Sequence, residues 1–152
     1  MKKLKMKKYE TIWPGYLFIV DCTSSNPSDL LNYFDFKRND GVFQEPSQNI
    51  VEELNTIQLS AEAACYPVVE KSTGHIGVLL VILDYYLSTN TIAHESAHLT
   101  DYFFQLAGAN SEEFSDGNEP YAYTVGYIAG SISNFLIDVV KNGRKDYDKK
   151  TS

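Results

Sequence analysis

The sequence predicts an α+β domain in which a small mixed β-sheet packs on two helices. Three observations carry this. Residues 15–22 and 76–83 are short, nearly continuous apolar runs of strand length. Residues 91–106 repeat at helical spacing, with Ile92, Leu99, Phe103 and Leu106 on one face and His94, His98, Asp101 and Gln105 opposite. A further helical pattern starts near Glu119 and sorts Val125, Ile128, Ile132, Phe135 and Val139 away from Ala122, Gly126, Gly130 and Ser133.

Taken in order, residues 15–22 form the first strand, with Tyr-Leu-Phe-Ile-Val inside it. Asn26-Pro-Ser-Asp is a turn, and Ser28 or Asp29 can cap a short helix reaching Phe36. Asn39-Asp-Gly41 is a second turn. Residues 51–57 suit a helix or the approach to a strand, and both readings stay open. Residues 65–69 read as a strand that Pro67 pushes toward an edge position. Residues 71–74 make a hairpin turn into 76–83, which has the apolar continuity of a strand covered on both faces. Ser88, Thr89 or Asn90 can cap the helix that follows, and Gly108 suits its end.

The chain has 152 residues, 43% hydrophobic and 13% aromatic, enough for one domain with a core of its own. The expected bounds are 9–141, with 1–8 and 142–152 as flexible basic tails. The net charge of −7 conceals an asymmetry: between residues 9 and 140 only Lys37, Arg38 and Lys71 stand against 18 Asp and Glu. A body of that sign argues against nucleic acid and favours basic peptides or proteins as partners. Cys22 and Cys65 form no framework and no C-x-x-C pair, so they read as ordinary thiols of a reducing, cytoplasmic setting. The lysine-rich start is followed by Glu10 and Pro14, so no export signal is read.

Residues 121–140 carry a single charge, Asp138, and a Gly-x-x-x-Gly pair, Gly126 and Gly130. A membrane span competes here, but Tyr121, Tyr123, Tyr127, Ser131, Ser133 and Asn134 make the segment too polar. A buried helix of a soluble domain accounts for both of its faces. On that reading Ala122, Gly126 and Gly130 lie against Ala93 and Ala97, letting the two helices approach near the low end of the usual ~8–10 Å.

The chemistry centres on His94-Glu95-x-x-His98. Helical residues four apart stand one turn above the other, so two imidazoles can address one metal ion. Glu95 lies about 100° around the axis, beside the metal, where it can take a proton from a metal-bound water. The competing reading is an amphipathic helix with a solvated polar face. Downstream lies Asp116-Gly-Asn-Glu-Pro-Tyr-Ala-Tyr123, with twenty residues separating His98 from Glu119.

At these two motifs the chain resembles the gluzincin metallopeptidases, the thermolysin-like and aminopeptidase-like zinc enzymes. They pair H-E-x-x-H with a downstream glutamate, often within an Asn-Glu-x-x-Ala motif, which Asn118 to Ala122 match. The resemblance implies a minimal zincin-like fold and Zn²⁺ held by His94, His98 and Glu119, with Glu95 as general base. Asp101 then becomes an outer carboxylate, and Tyr121, Tyr123 and Tyr127 are candidates to stabilise an oxyanion. His75 is a further candidate, though a hairpin histidine is more often simply exposed. The expected activity is hydrolysis of peptide bonds. The alternative is a zincin-fold metal-binding protein, regulatory or virion-associated, that works by binding; short chains of this kind occur among phage and mobile elements.

Overall fold

Two apolar strands set the centre of the sheet. A computed structural model describes residues 4–37, 48–59, 61–84, 86–109 and 117–151. Strand β2 (Tyr16–Asp21) lies parallel to β5 (Ile76–Ile82), pairing Leu17 with Val78 and Ile19 with Leu80. The other strands are β1 (Lys5–Glu10), β3 (Phe34–Phe36) and β4 (Ala63–Glu70), and the order is β1-β2-β5-β4-β3. All pairings except β2 with β5 are antiparallel, so the sheet is mixed. Gly77 pairs with Tyr16 of β2 and leaves no room for a side chain. A Cβ there would press on the Tyr16 carbonyl oxygen and stand 2.7 Å from a Phe18 ring carbon.

Side chains alternate across the sheet, so each face has its own core. Leu17, Ile19, Val78, Leu80 and Ile82 pack against helices α2 (Thr89–Leu106) and α3 (Glu119–Thr151) through Leu99, Phe103, Ile128, Ile132 and Phe135. On the other face, Phe18, Val20, Leu79 and Val81 meet Leu30, Phe34, Phe36 and Leu54. That side is covered by a 3-10 turn (Pro27–Asn32) and helix α1 (Gln48–Thr56), with Phe34 and Phe36 supplied by the edge strand β3. The continuous apolar run of β5 follows from cover on both faces. The fold is thus a small α+β arrangement with a five-stranded mixed sheet. No helix among the described residues is long and apolar enough to cross a membrane.

Several expectations change. Residues 5–8, read as part of a tail, belong to the edge strand β1, where Met6 and Tyr9 pack inward between lysines. Lysines on an edge strand discourage pairing with another chain. The helix expected to reach Phe36 is only a 3-10 turn, capped by the Asn26 side chain instead of Ser28 or Asp29. Phe34 and Phe36 are buried with Asp35 between them, a two-residue period that forms a strand. Residues 51–57 resolve mainly as helix, and α3 continues past 141 to Thr151, into the expected C-terminal tail. The Asn39–Gly41 turn lies outside the described residues.

Strand β4 is second from the edge, yet β3 pairs only with Val68 to Glu70. The Pro67 carbonyl accepts from Lys37 N at 3.1 Å, so the side of Pro67 that lacks an N–H faces outward, just beyond the end of β3. The proline therefore interrupts no bond to the central strand β5.

At the hairpin between β4 and β5, Lys8 Nζ donates to Glu70 Oε1 at 2.8 Å and lies 2.6 Å from His75 Nδ1. Thr73 Oγ1 also donates to Glu70. Burial pushes the Glu70 carboxyl pKa up, but the Lys8 and Thr73 hydrogen bonds outweigh it and hold the group below its ordinary 4.5. The folded pKa is the lower one, so this contribution is complete above about 4.5 and is lost as pH falls through the folded value. Lys8→Met should cost roughly 1–3 kcal/mol at neutral pH, because Glu70 loses a charged partner. It should also flatten the loss of stability on acidification. Urea unfolding at neutral and acid pH checks both; an unaltered acid dependence would remove Glu70 from the account.

Candidate functional site

Helix α2 starts where Ser88 Oγ accepts from Thr91 N at 3.1 Å, which selects Ser88 from the three possible caps. Thr91 Oγ1 donates to Glu62 Oε2 at 2.8 Å and ties this first turn to the approach of β4. Leu99, Phe103 and Phe104 are buried, and the buried hydroxyls of Ser96 and Thr100 donate to carbonyls one turn back. Ala107 closes the helix, followed by Gly108 at φ 66°. This anchoring leaves His94, His98, Asp101 and Gln105 exposed along the opposite stripe.

The two histidines converge. Their Nε2 atoms lie 3.1 Å apart, with the rings edge to face. Two nitrogens each ~2.0–2.1 Å from a tetrahedral zinc ion stand about 3.3 Å apart, so the pair fits one ion with a small ring adjustment. The half-buried Glu95 leans toward the sheet, and its Oε2 accepts from Cys65 Sγ at 2.7 Å. Burial first, then the charge and hydrogen bond of Glu95, push the Cys65 thiol well above its ordinary range, so it remains a protonated donor. Burial, followed by the same thiol and carboxylate, also raises the Tyr102 hydroxyl.

An open cleft of about 230 Å³ lies between the start of β4 and α2, lined by Glu62, Ala63, Thr91, His94 and Glu95 among others. Beside it, no described strand pairs with residues 63–66 on the side away from β5. An extended peptide could add to such an edge through main-chain hydrogen bonds.

Glu119 is not brought to the histidines. It is the first residue of α3 and lies exposed on a stripe with Ala122, Gly126, Gly130 and Ser133. Among the described residues no three His, Cys, Asp or Glu side chains gather closely enough to hold a metal ion. The expected packing of Gly126 and Gly130 against α2 is overturned: among the described residues nothing lies within 4 Å of a Cβ built at either. The face carrying Ile128, Ile132, Phe135 and Val139 is buried instead, because it removes far more apolar surface from water.

Asp101 accepts from the Tyr121 hydroxyl at 3.1 Å. Burial, then that bond and the Asp101 charge, raise the Tyr121 pKa. Tyr123 lines a separate pocket with Trp13. His75 stacks on Tyr16 at 4.8 Å, at the hairpin. Cys65 is the residue that sequence reasoning passed over. It lies thirty positions from Glu95, and no local pattern marks it as a partner.

No protein-family model, curated protein or solved structure matches this chain.

Proposed function

We propose that the chain is a zinc-dependent peptidase with a minimal zincin-like arrangement, in which α2 carries the site and Glu95 acts as general base. The observation that carries this reading is the approach of His94 Nε2 to His98 Nε2 at 3.1 Å on an exposed helix face, with His94 and Glu95 bordering the cleft. His94 and His98 would hold the metal through their facing Nε2 atoms. Zinc bound there would supply the Lewis acidity that makes a water nucleophilic near neutral pH. Glu95 accepts a proton at its carboxylate and passes it to the leaving amine, which requires Oε2 to give up the Cys65 thiol for the reacting groups. The edge of β4 at residues 63–66, which no described strand pairs on the side away from β5, receives the substrate as an extended strand, and the acidic body favours basic peptides. Two free thiols suit work in the reducing cytoplasm.

A second reading is favoured by the Cys65–Glu95 bond and by the exposed face that Glu119 occupies: a metal-binding protein that acts by association and not by catalysis. A zinc competition titration with a chelator-controlled peptide-library digest separates the two. The peptidase reading expects zinc binding that His94→Ala and His98→Ala each abolish, together with chelator-sensitive cleavage biased toward Lys and Arg. Zinc binding without cleavage selects the second reading, and absence of zinc binding sinks both. In the same titration, a fall for Glu119→Ala as large as that for His98→Ala, and larger than for Asp101→Ala, makes Glu119 the third ligand. Unchanged affinity removes it from the site.

A further inference from the structure

A second concavity, sharing no lining residue with the histidine cleft, lies between the β1–β2 loop and the first turns of α3. Its volume is about 130 Å³, and its walls include Glu10, Ile12, Trp13, Tyr123 and Tyr127. Drug-sized ligands occupy ~300–1,000 Å³, so this site suits a headgroup and not a whole large molecule. Ile12, Tyr123 and Tyr127 are among the large apolar side chains left exposed, at 66%, 59% and 38%, and all three converge here. Such clustering marks a binding surface better than scattered exposure does.

Two of the walls are fixed in advance. The Trp13 indole packs on Phe104 with ring centroids 4.5 Å apart, and its Nε1 donates to Thr124 Oγ1 at 2.7 Å. Thr124 in turn donates to the Pro120 carbonyl. The Tyr127 hydroxyl donates to the Glu10 carbonyl at 2.6 Å, joining α3 to the end of β1. Walls held this way lose little freedom when a ligand enters.

We propose that this pocket binds an organic ammonium headgroup, either a quaternary ammonium or a methylated lysine side chain. Aromatic faces attract cations through their quadrupoles, and methyl-rich ammonium groups make full contact with them at little desolvation cost. None of the lining residues is cationic, and one of them, Glu10, is an exposed acid. The surrounding body, with β1 included, carries 18 acids against six bases between residues 4 and 140, and so attracts positive ligands and repels anions. This inference is independent of the metal reading.

Trp13 is the only tryptophan of the chain, so its fluorescence reports on the pocket directly. Choline is titrated into the intact protein at low salt, alongside its uncharged analogue in which carbon replaces the quaternary nitrogen. The expected result is a saturable change with choline and binding of the analogue weaker by about tenfold or more. Tyr123→Ala should weaken choline several-fold while Tyr123→Phe retains it, and Glu10→Gln should weaken it and reduce its salt dependence. Circular dichroism confirms that each variant is folded. Tighter binding of a trimethyllysine peptide than of choline would assign the pocket to a protein side chain; the converse would assign it to a free small molecule. No saturable change, equal binding of the uncharged analogue, or indifference to Tyr123→Ala in a folded protein overturns the proposal.

Discussion

Glu95→Gln is expected to leave zinc bound and to lower peptide hydrolysis by roughly 10²–10⁴-fold, the usual contribution of a positioned general base. The side chains are nearly the same size, and the glutamine carbonyl can still accept from the Cys65 thiol that now meets Oε2. Packing and the His94–His98 pair should therefore survive. What disappears is the capacity to take up a proton. Zinc affinity from competition titration and rates from a peptide assay, both at neutral pH, separate the effects. Loss of zinc would make Glu95 a ligand; a full rate would remove it from the chemistry.

The second large effect concerns stability, and its sign differs between two positions in the same helical layer. Phe103 is fully buried between the sheet and α3, so Phe103→Ala should cost ~3–5 kcal/mol from lost burial and the cavity left behind. Gly126 lies exposed on α3, and among the described residues nothing stands within 4 Å of a built Cβ. Gly126→Ala should therefore stabilise the protein by roughly 0.5–1 kcal/mol, the helix cost of glycine relieved without a clash. Denaturant unfolding of both variants is the measurement. A destabilised Gly126→Ala would mean that α3 packs through its glycine face after all, and would return Glu119 to the vicinity of the histidines.

What the sequence determined by itself is what repeats locally. The apolar continuity of β2 and β5 defines the sheet centre, and the 3.6-residue period of α2 buries Leu99 and Phe103. Because His94 and His98 are four apart on that helix, their convergence needs only helix geometry. The same periodicity divided α3 correctly into two faces. It could not say which face meets α2, since a helix period fixes which residues share a side and not what that side touches. That choice belonged to the tertiary structure, where burying Ile128, Ile132 and Phe135 outweighed close approach through Gly126 and Gly130. Strand β1 was hidden because its lysines resemble a solvated tail until β2 supplies partners for the backbone. The thiol on Glu95 and the pairing of Trp13 with Thr124 span 30 and 111 positions of chain. Contacts that distant depend on how whole elements dock, a balance of buried surface and chain entropy summed over the fold, and no neighbouring residue records it.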